Sequence, residues 1–137
     1  MVNKTASFVF NRVGVPKFEK YLDLASFRHK LVGGNVANVS TPGYRTRDID
    51  FNAEFARLTK ETDNLAGLTT NNAHLPLGFH SERPPEPDEV KVSEGEMNSV
   101  DIDKEISNLA QNELVFTVAA RLLKQKFDGL RKAITSR

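Results

Sequence analysis

The sequence predicts a mainly α-helical chain. Long N- and C-terminal helices pack as a coiled-coil-like pair, and between them lies an extended, irregular middle with one short β-hairpin. Three observations carry this. Residues 100–134 keep one apolar side when stepped alternately by four and three: Ile102, Ile106, Leu109, Phe116, Ala120, Leu123, Phe127, Leu130 and Ile134, interrupted only by Glu113. Residues 16–39 carry a second such stripe, Phe18, Leu22, Ala25, His29, Val32, Val36 and Val39. Residues 61–97, which contain Pro76, Pro84, Pro85 and Pro87, show no durable periodicity.

In chain order, residues 1–15 are polar and mixed, and read as a flexible N-terminus. Pro16 suits the first turn of a helix, where its missing N–H costs nothing. The helix that follows runs for roughly 23 residues and carries a further apolar stripe, Leu24, Phe27 and Leu31. Gly33-Gly34 interrupts it, each Gly costing about 1 kcal/mol against Ala. Either the helix weakens there or another backbone approaches closely. Ser40-Thr41-Pro42-Gly43 stops it. Residues 44–51 alternate as an extended segment, and Phe51, Phe55 and Leu58 then mark a short helix over 52–60, which closes a first unit, 16–60. In the middle unit, 61–97, residues 90–92 read as a strand to pair with 75–79. The last unit, 98–137, opens on Asn98-Ser99-Val100-Asp101, where Asn, Ser and Asp are capping residues and Asp101, Asp103 and Glu105 complement the helix dipole.

At 1.5 Å per residue the last helix would reach roughly 50 Å, more than a compact domain of this size needs. Leu114, Val115, Val118, Ala119 and Leu122 widen its seam beyond two positions per heptad, so it is to be buried on more than one side. The plainer alternative is an ordinary amphipathic helix ending near Lys126. The packing anchors expected of the two helices are Leu24, Phe27 and Leu31 from the first and Ile106, Leu109, Phe116, Leu123, Phe127 and Leu130 from the last.

A chain of 137 residues, 39% hydrophobic, is one domain's worth. The net charge of +1 points to no nucleic acid partner. Its distribution is uneven. Residues 1–60 hold ten basic against five acidic side chains, 61–105 hold three against eleven, and 106–137 hold six against two. Such blocks attract one another within or between chains, or are simply solvated. There is no Cys, so there are no disulfides or thiolate sites. His29, His74 and His80 are scattered without metal-ligand spacing, and His29 lies on an apolar stripe where packing is the simpler role. Asp48/Asp50 and Asp101/Asp103 lack the Gly and distal Glu of a calcium loop. No hydroxyl has a paired base and no phosphate loop follows a strand. Catalytic, cofactor and metal sites are therefore not expected. No apolar run is long enough to span a bilayer and the first residues lack the apolar core of a cleaved signal peptide, so neither membrane insertion nor a cleaved leader is expected. Lys17, Lys20, Arg28 and Lys30 would suit a membrane surface, but a matching partner helix within the chain favours packing.

Asn35-Val36-Ala37-Asn38-Val39-Ser40-Thr41-Pro42-Gly43-Tyr44 closely resembles the Asn-x-Ala-Asn-x-x-Thr-Pro-Gly-Tyr motif of the bacterial flagellar axial proteins of rod and hook. Asn98-Ser99-Val100-Asp101-Ile102-Asp103-Lys104-Glu105 before a long helix is similar to the C-terminal signature of that group. Residues 44–51 and 68–75 look like its small proximal-rod type. Hook and distal-rod members carry large inserted domains for which this chain has no room, although its middle is short even so. Gly33-Gly34 stands where such proteins usually have other small residues. The resemblance implies a structural subunit of the flagellar basal body, exported from the cytoplasm by the type III export apparatus without a cleaved signal. It implies helical assembly in the periplasm. The implied partners are copies of itself, other rod proteins, the adapter to the membrane ring, and the export apparatus. Another small proximal-rod protein, a helical adapter or a secretion chaperone is the alternative. Asn35, Asn38, Thr41, Pro42, Gly43 and Tyr44 are the motif residues so marked. On residue chemistry alone the Thr41–Tyr44 turn is equally a plain helix stop or a contact for a neighbour.

Overall fold

The computed structural model describes residues 4–60, 84–89, 98 and 100–135. It is mainly helical: α1 (Lys4–Val13), α2 (Val15–Ala37), β1 (Arg47–Asp48), α3 (Phe51–Lys60), β2 (Asp88–Glu89) and α4 (Ile102–Thr135). Helices α2 and α4 pack along one another and form the body of the molecule. The N-terminal lead-in differs from the expectation of a flexible segment, because α1 covers most of it. Its apolar residues do fall at helical spacing, but over ten residues only, too short a run to hold a helix without a partner. What places it is tertiary: Phe10 meets Phe127 of α4 edge-on, with ring centroids 6.3 Å apart. Gly14 separates α1 from α2 in the left-handed region, at φ 82°, and accepts the first bonds of α2 from Lys17 and Phe18.

α2 runs unbroken through Gly33 and Gly34. Neither anticipated cause applies. The helix does not break, and among the described residues no other backbone approaches; Gly34 instead faces the Tyr44 hydroxyl, 3.8 Å from where a Cβ would stand. The helix ends at Asn38, whose N–H and side-chain amide both donate to the carbonyl of Gly34. Gly43, at φ 75°, completes the turn.

The extended segment after the turn supplies β1, which pairs antiparallel with β2, Arg47 opposite Glu89 and Asp48 opposite Asp88. The expected strand at 90–92 and its partner at 75–79 lie outside the described residues. α3 then packs on α2 through an aromatic cluster. Tyr21 meets Phe51 and Phe55 edge-on at 4.9 and 5.1 Å. Asp50 Oδ1 accepts from the Ala53 N–H at the start of α3, and Lys20 Nζ donates to the Leu58 carbonyl near its end.

α4 continues past Lys126 for 34 residues in all, about 51 Å. Its contact with α2 is not centred on the stripe read from the sequence. Glu105, Asn112 and Ala119, spaced seven apart, are its buried residues. Leu109 and Leu123 flank that line, half-buried, while Ile102, Ile106, Phe116 and Phe127 remain exposed. The cause is hydrogen bonding: α2 brings Leu24, Ala25, Val32 and Asn35 to the seam, where Glu105 accepts from Asn35 and Asn112 donates to the Ala25 carbonyl, and these bonds hold that line of α4 inward. Among the described residues the buried apolar side chains are only Leu24, Ala25, Val32, Ile49 and Ala119.

Leu24→Ala should therefore cost about 2–4 kcal/mol, because the side chain is 1% exposed and its removal leaves a cavity in a small core. Leu114→Ala, at a site 65% exposed, should stay within about 0.5 kcal/mol. Urea unfolding of the isolated chain followed by circular dichroism checks both.

Candidate assembly surface

The motif around the turn is built on Asn35, fully buried on α2. Its Nδ2 donates to the Arg47 carbonyl at 2.8 Å and to Glu105 Oε2 at 3.0 Å. Its Oδ1 accepts from the Arg47 N–H at 3.0 Å and from the Tyr44 hydroxyl at 3.3 Å. Both hydrogens and both lone pairs of one amide are thus used, and only Asn offers that set at this length. Tyr44, at the end of the turn read as either a helix stop or a contact for a neighbour, donates its hydroxyl to Asn35 within the chain and lies over Gly34. Asn38 caps α2, Thr41 Oγ1 donates to Asn38 Oδ1, and Pro42 and Gly43 are exposed in the turn.

The C-terminal motif closes onto the same place. Asn98 Nδ2 donates to the carbonyls of Asn38 and Thr41, both at 3.2 Å, and to that of Val39, while its Oδ1 accepts from the Val100 N–H. Asp101 Oδ1 caps α4 through the N–H groups of Asp103 and Lys104. Glu105 is more than a dipole partner. It is 4% exposed and held by Asn35. Arg28 grips Asp48 bidentately, Nε to Oδ1 at 2.8 Å and Nη2 to Oδ2 at 2.6 Å. The Arg28 guanidinium is held above its usual range by those hydrogen bonds, against the lowering effect of burial, with the charges of Asp48 and Glu105 adding. A raised arginine keeps its charge throughout the ordinary pH range, so loss of the arginine's charge ends this contribution only in strong alkali. Further along, Asn112 Nδ2 donates to the Ala25 carbonyl at 2.9 Å.

Of the residues marked in the sequence, the structure brings together Asn35, Asn38, Thr41 and Tyr44. Leu24 is in the core, and Phe27, Leu31, Leu109, Leu123 and Leu130 are half-buried. Ile106, Phe116 and Phe127 face solvent. Sequence reading missed Arg28, Asp48 and Asn112 and gave Glu105 and Asn98 lesser roles. The signal available was the heptad step from Glu105 to Asn112 beside the leucines, where a polar residue fixes register.

What remains outside is apolar. Of the twelve large hydrophobic side chains exposed among the described residues, nine are on α4 and three on α1. Leu114, Val115, Val118, Ala119 and Leu122 form one wall of an open apolar groove of about 450 Å³, with Phe18, Tyr21 and Phe55 opposite. None of the described helices is long and apolar enough to cross a membrane.

No protein-family model matches the chain. Curated relatives do. The chain is 30% identical over 122 residues to the flagellar basal body rod protein FlgB of Borrelia hermsii, across 84% of this chain and 90% of that protein. It is 28% identical over 125 residues to FlgB of Salmonella typhimurium, across 85% and 88%. It is 25% identical over 127 residues to FlgB of Bacillus subtilis, across 88% and 92%.

Asn35→Ala orphans the partners of the amide and should cost about 1–3 kcal/mol. Asn35→Asp sets a carboxylate against Glu105 and should cost about 3 kcal/mol or more at neutral pH. Repulsion raises the folded pKa of that acidic pair, so the variant binds protons on folding and regains stability as pH falls through the carboxylate range. Urea midpoints of both variants against pH check the sign.

Proposed function

The chain belongs to the family of flagellar basal body rod proteins FlgB, and from that premise we propose that it builds the proximal rod, polymerising through the apolar surfaces of α4. As a member it is a structural subunit of the motility organelle and not an enzyme, and its place is the basal body rod. The observation that carries the finer reading is the distribution of apolar side chains. Among the described residues few of them are buried, and nine large ones stand exposed along α4. So much apolar surface on one element marks an interaction site. Covering it by a repeated head-to-tail contact yields an open helix, the geometry of a shaft.

In this reading Phe116 and Phe127 are contact anchors and α4 lies in the wall of the tube. Copies of the chain, other rod proteins and the adapter to the membrane ring are its neighbours. The chain leaves the cytoplasm through the type III export apparatus without a cleaved signal. The polar lock between the two motifs supports the reading in a second way. It orients α2 and α4 without consuming the apolar faces that assembly needs.

Cells lacking this gene should show, by electron microscopy of basal bodies, membrane rings without rod, hook or filament, and they should not swim. A plasmid copy should restore all of these. Phe116→Asp should express and fold, because the side chain is already 39% exposed, yet fail to restore rods. Intact rods in the deletion strain would overturn the proposal.

A further inference from the structure

Resting on the reading of the chain as a rod subunit, we infer that the groove lined by Phe18, Tyr21, Phe55, Leu114, Val118 and Leu122 receives the Ile102–Ile106 edge of α4 from a second copy of the same chain. The two surfaces lie on opposite flanks of the α2–α4 seam, so a single copy cannot bring them together. Stepping 100° per residue, Ile102 and Ile106 fall on one side of the buried line Glu105, Asn112 and Ala119, and Val118 and Leu122 on the other. Both surfaces are open. Ile102 is 43% and Ile106 51% exposed, and Val118 is 48% and Leu122 44%.

Charge selects the occupant. Lys17 lines the groove, and exposed Arg121 and Lys126 stand one turn from Val118 and Leu122. The isoleucine edge is bordered by exposed Asp103 and, further along the same flank, Glu113. Basic rim meets acidic rim, and apolar groove meets apolar ridge, which fixes both attraction and register. Two identical grooves facing each other would instead oppose like charges. The contact is therefore heterologous: each copy offers its ridge to one neighbour and its groove to the next. The ridge is centred near residue 104 and the groove near residue 118. Parallel copies joined this way are offset by about 20 Å along the helix axis. A repeated offset of that kind climbs as a staircase and does not close into a flat ring.

The chain contains no cysteine, so introduced ones report cleanly. A chain carrying Ile106→Cys and Val118→Cys together replaces the wild type in cells, and isolated basal bodies are mildly oxidised. A ladder at multiples of the chain mass is expected, with each single-cysteine chain remaining monomeric. Rods that contain the chain but give no ladder, or give a cross-link to a protein of different mass, overturn this contact while leaving the rod assignment intact. Basal bodies with normal rods but without the chain overturn the assignment itself. The reciprocal charge swap covers the case in which the cysteines block assembly. Glu113→Lys and Lys126→Glu, which this offset brings opposite one another, should each shrink the swimming halo at least several-fold, and the double variant should recover most of it. No recovery in the double variant also overturns the contact.

Discussion

Everything in this molecule hangs on a single buried amide. Asn35 ties α2 to the backbone of β1 at two points, to the turn through Tyr44, and to α4 through Glu105. A buried polar group is costly when unpaired and close to neutral when fully paired. The four bonds of Asn35 therefore contribute modest stability and a great deal of selectivity: only one arrangement of turn, strand and helix satisfies them all. Asn98 repeats the logic at the other end of the turn, where one side-chain amide spans three carbonyls. Two segments some sixty residues apart in the chain are thereby fastened without any large apolar contact.

That choice has an energetic consequence. Burying apolar area yields roughly 25 cal/mol per Å². A helix pair that used its leucines and phenylalanines internally would be a stable, self-sufficient hairpin with nothing left to bind. Here the seam centre is given to Glu105, Asn112 and Ala119, and the large side chains stand on its flanks. Asn112 bonding to the Ala25 carbonyl fixes how the helices slide against each other, as a lone polar seam residue does in coiled coils. The monomer is shaped by polar contacts, and its apolar faces are held in reserve.

The long helices and the turn were legible in the sequence because their signals are local. A stripe of Leu109, Phe116 and Leu123 marks a helix whatever it packs against, and Pro42-Gly43 ends one in any context. The direction each face points was not local information. Both flanks of α4 are apolar, so periodicity placed the seam through Ile102, Ile106 and Phe127, whereas the partner helix turned it toward Glu105 and Asn112. The same holds at Gly33-Gly34. Composition says that a large side chain is unwelcome there, but only the fold shows that the space belongs to the Tyr44 hydroxyl. Helix α1 was hidden for a related reason: ten residues without capping signals are held by Phe10 against Phe127, a contact 117 positions away in sequence.

A subunit that must join others identically, many times over, faces a conflict. Its contact surfaces must be apolar enough to hold, yet they must not be satisfied by folding back on themselves. Polar locks resolve the conflict by geometry. Glu105 held on Asn35 keeps α4 rotated: turning an apolar flank inward would strip Glu105 from the buried Asn35 amide and Asn112 from the Ala25 carbonyl, leaving both groups of α2 without these partners, at about 1–3 kcal/mol each. Apolar gain alone would favour such a rotation, since it would bury Ile102 and Ile106. Together the two losses match or exceed what two half-exposed isoleucines return, at most about 3 kcal/mol between them. The exposed flanks are therefore a property of the buried polar seam, and a change at Asn35 or Glu105 reaches the assembly surface by letting α4 turn.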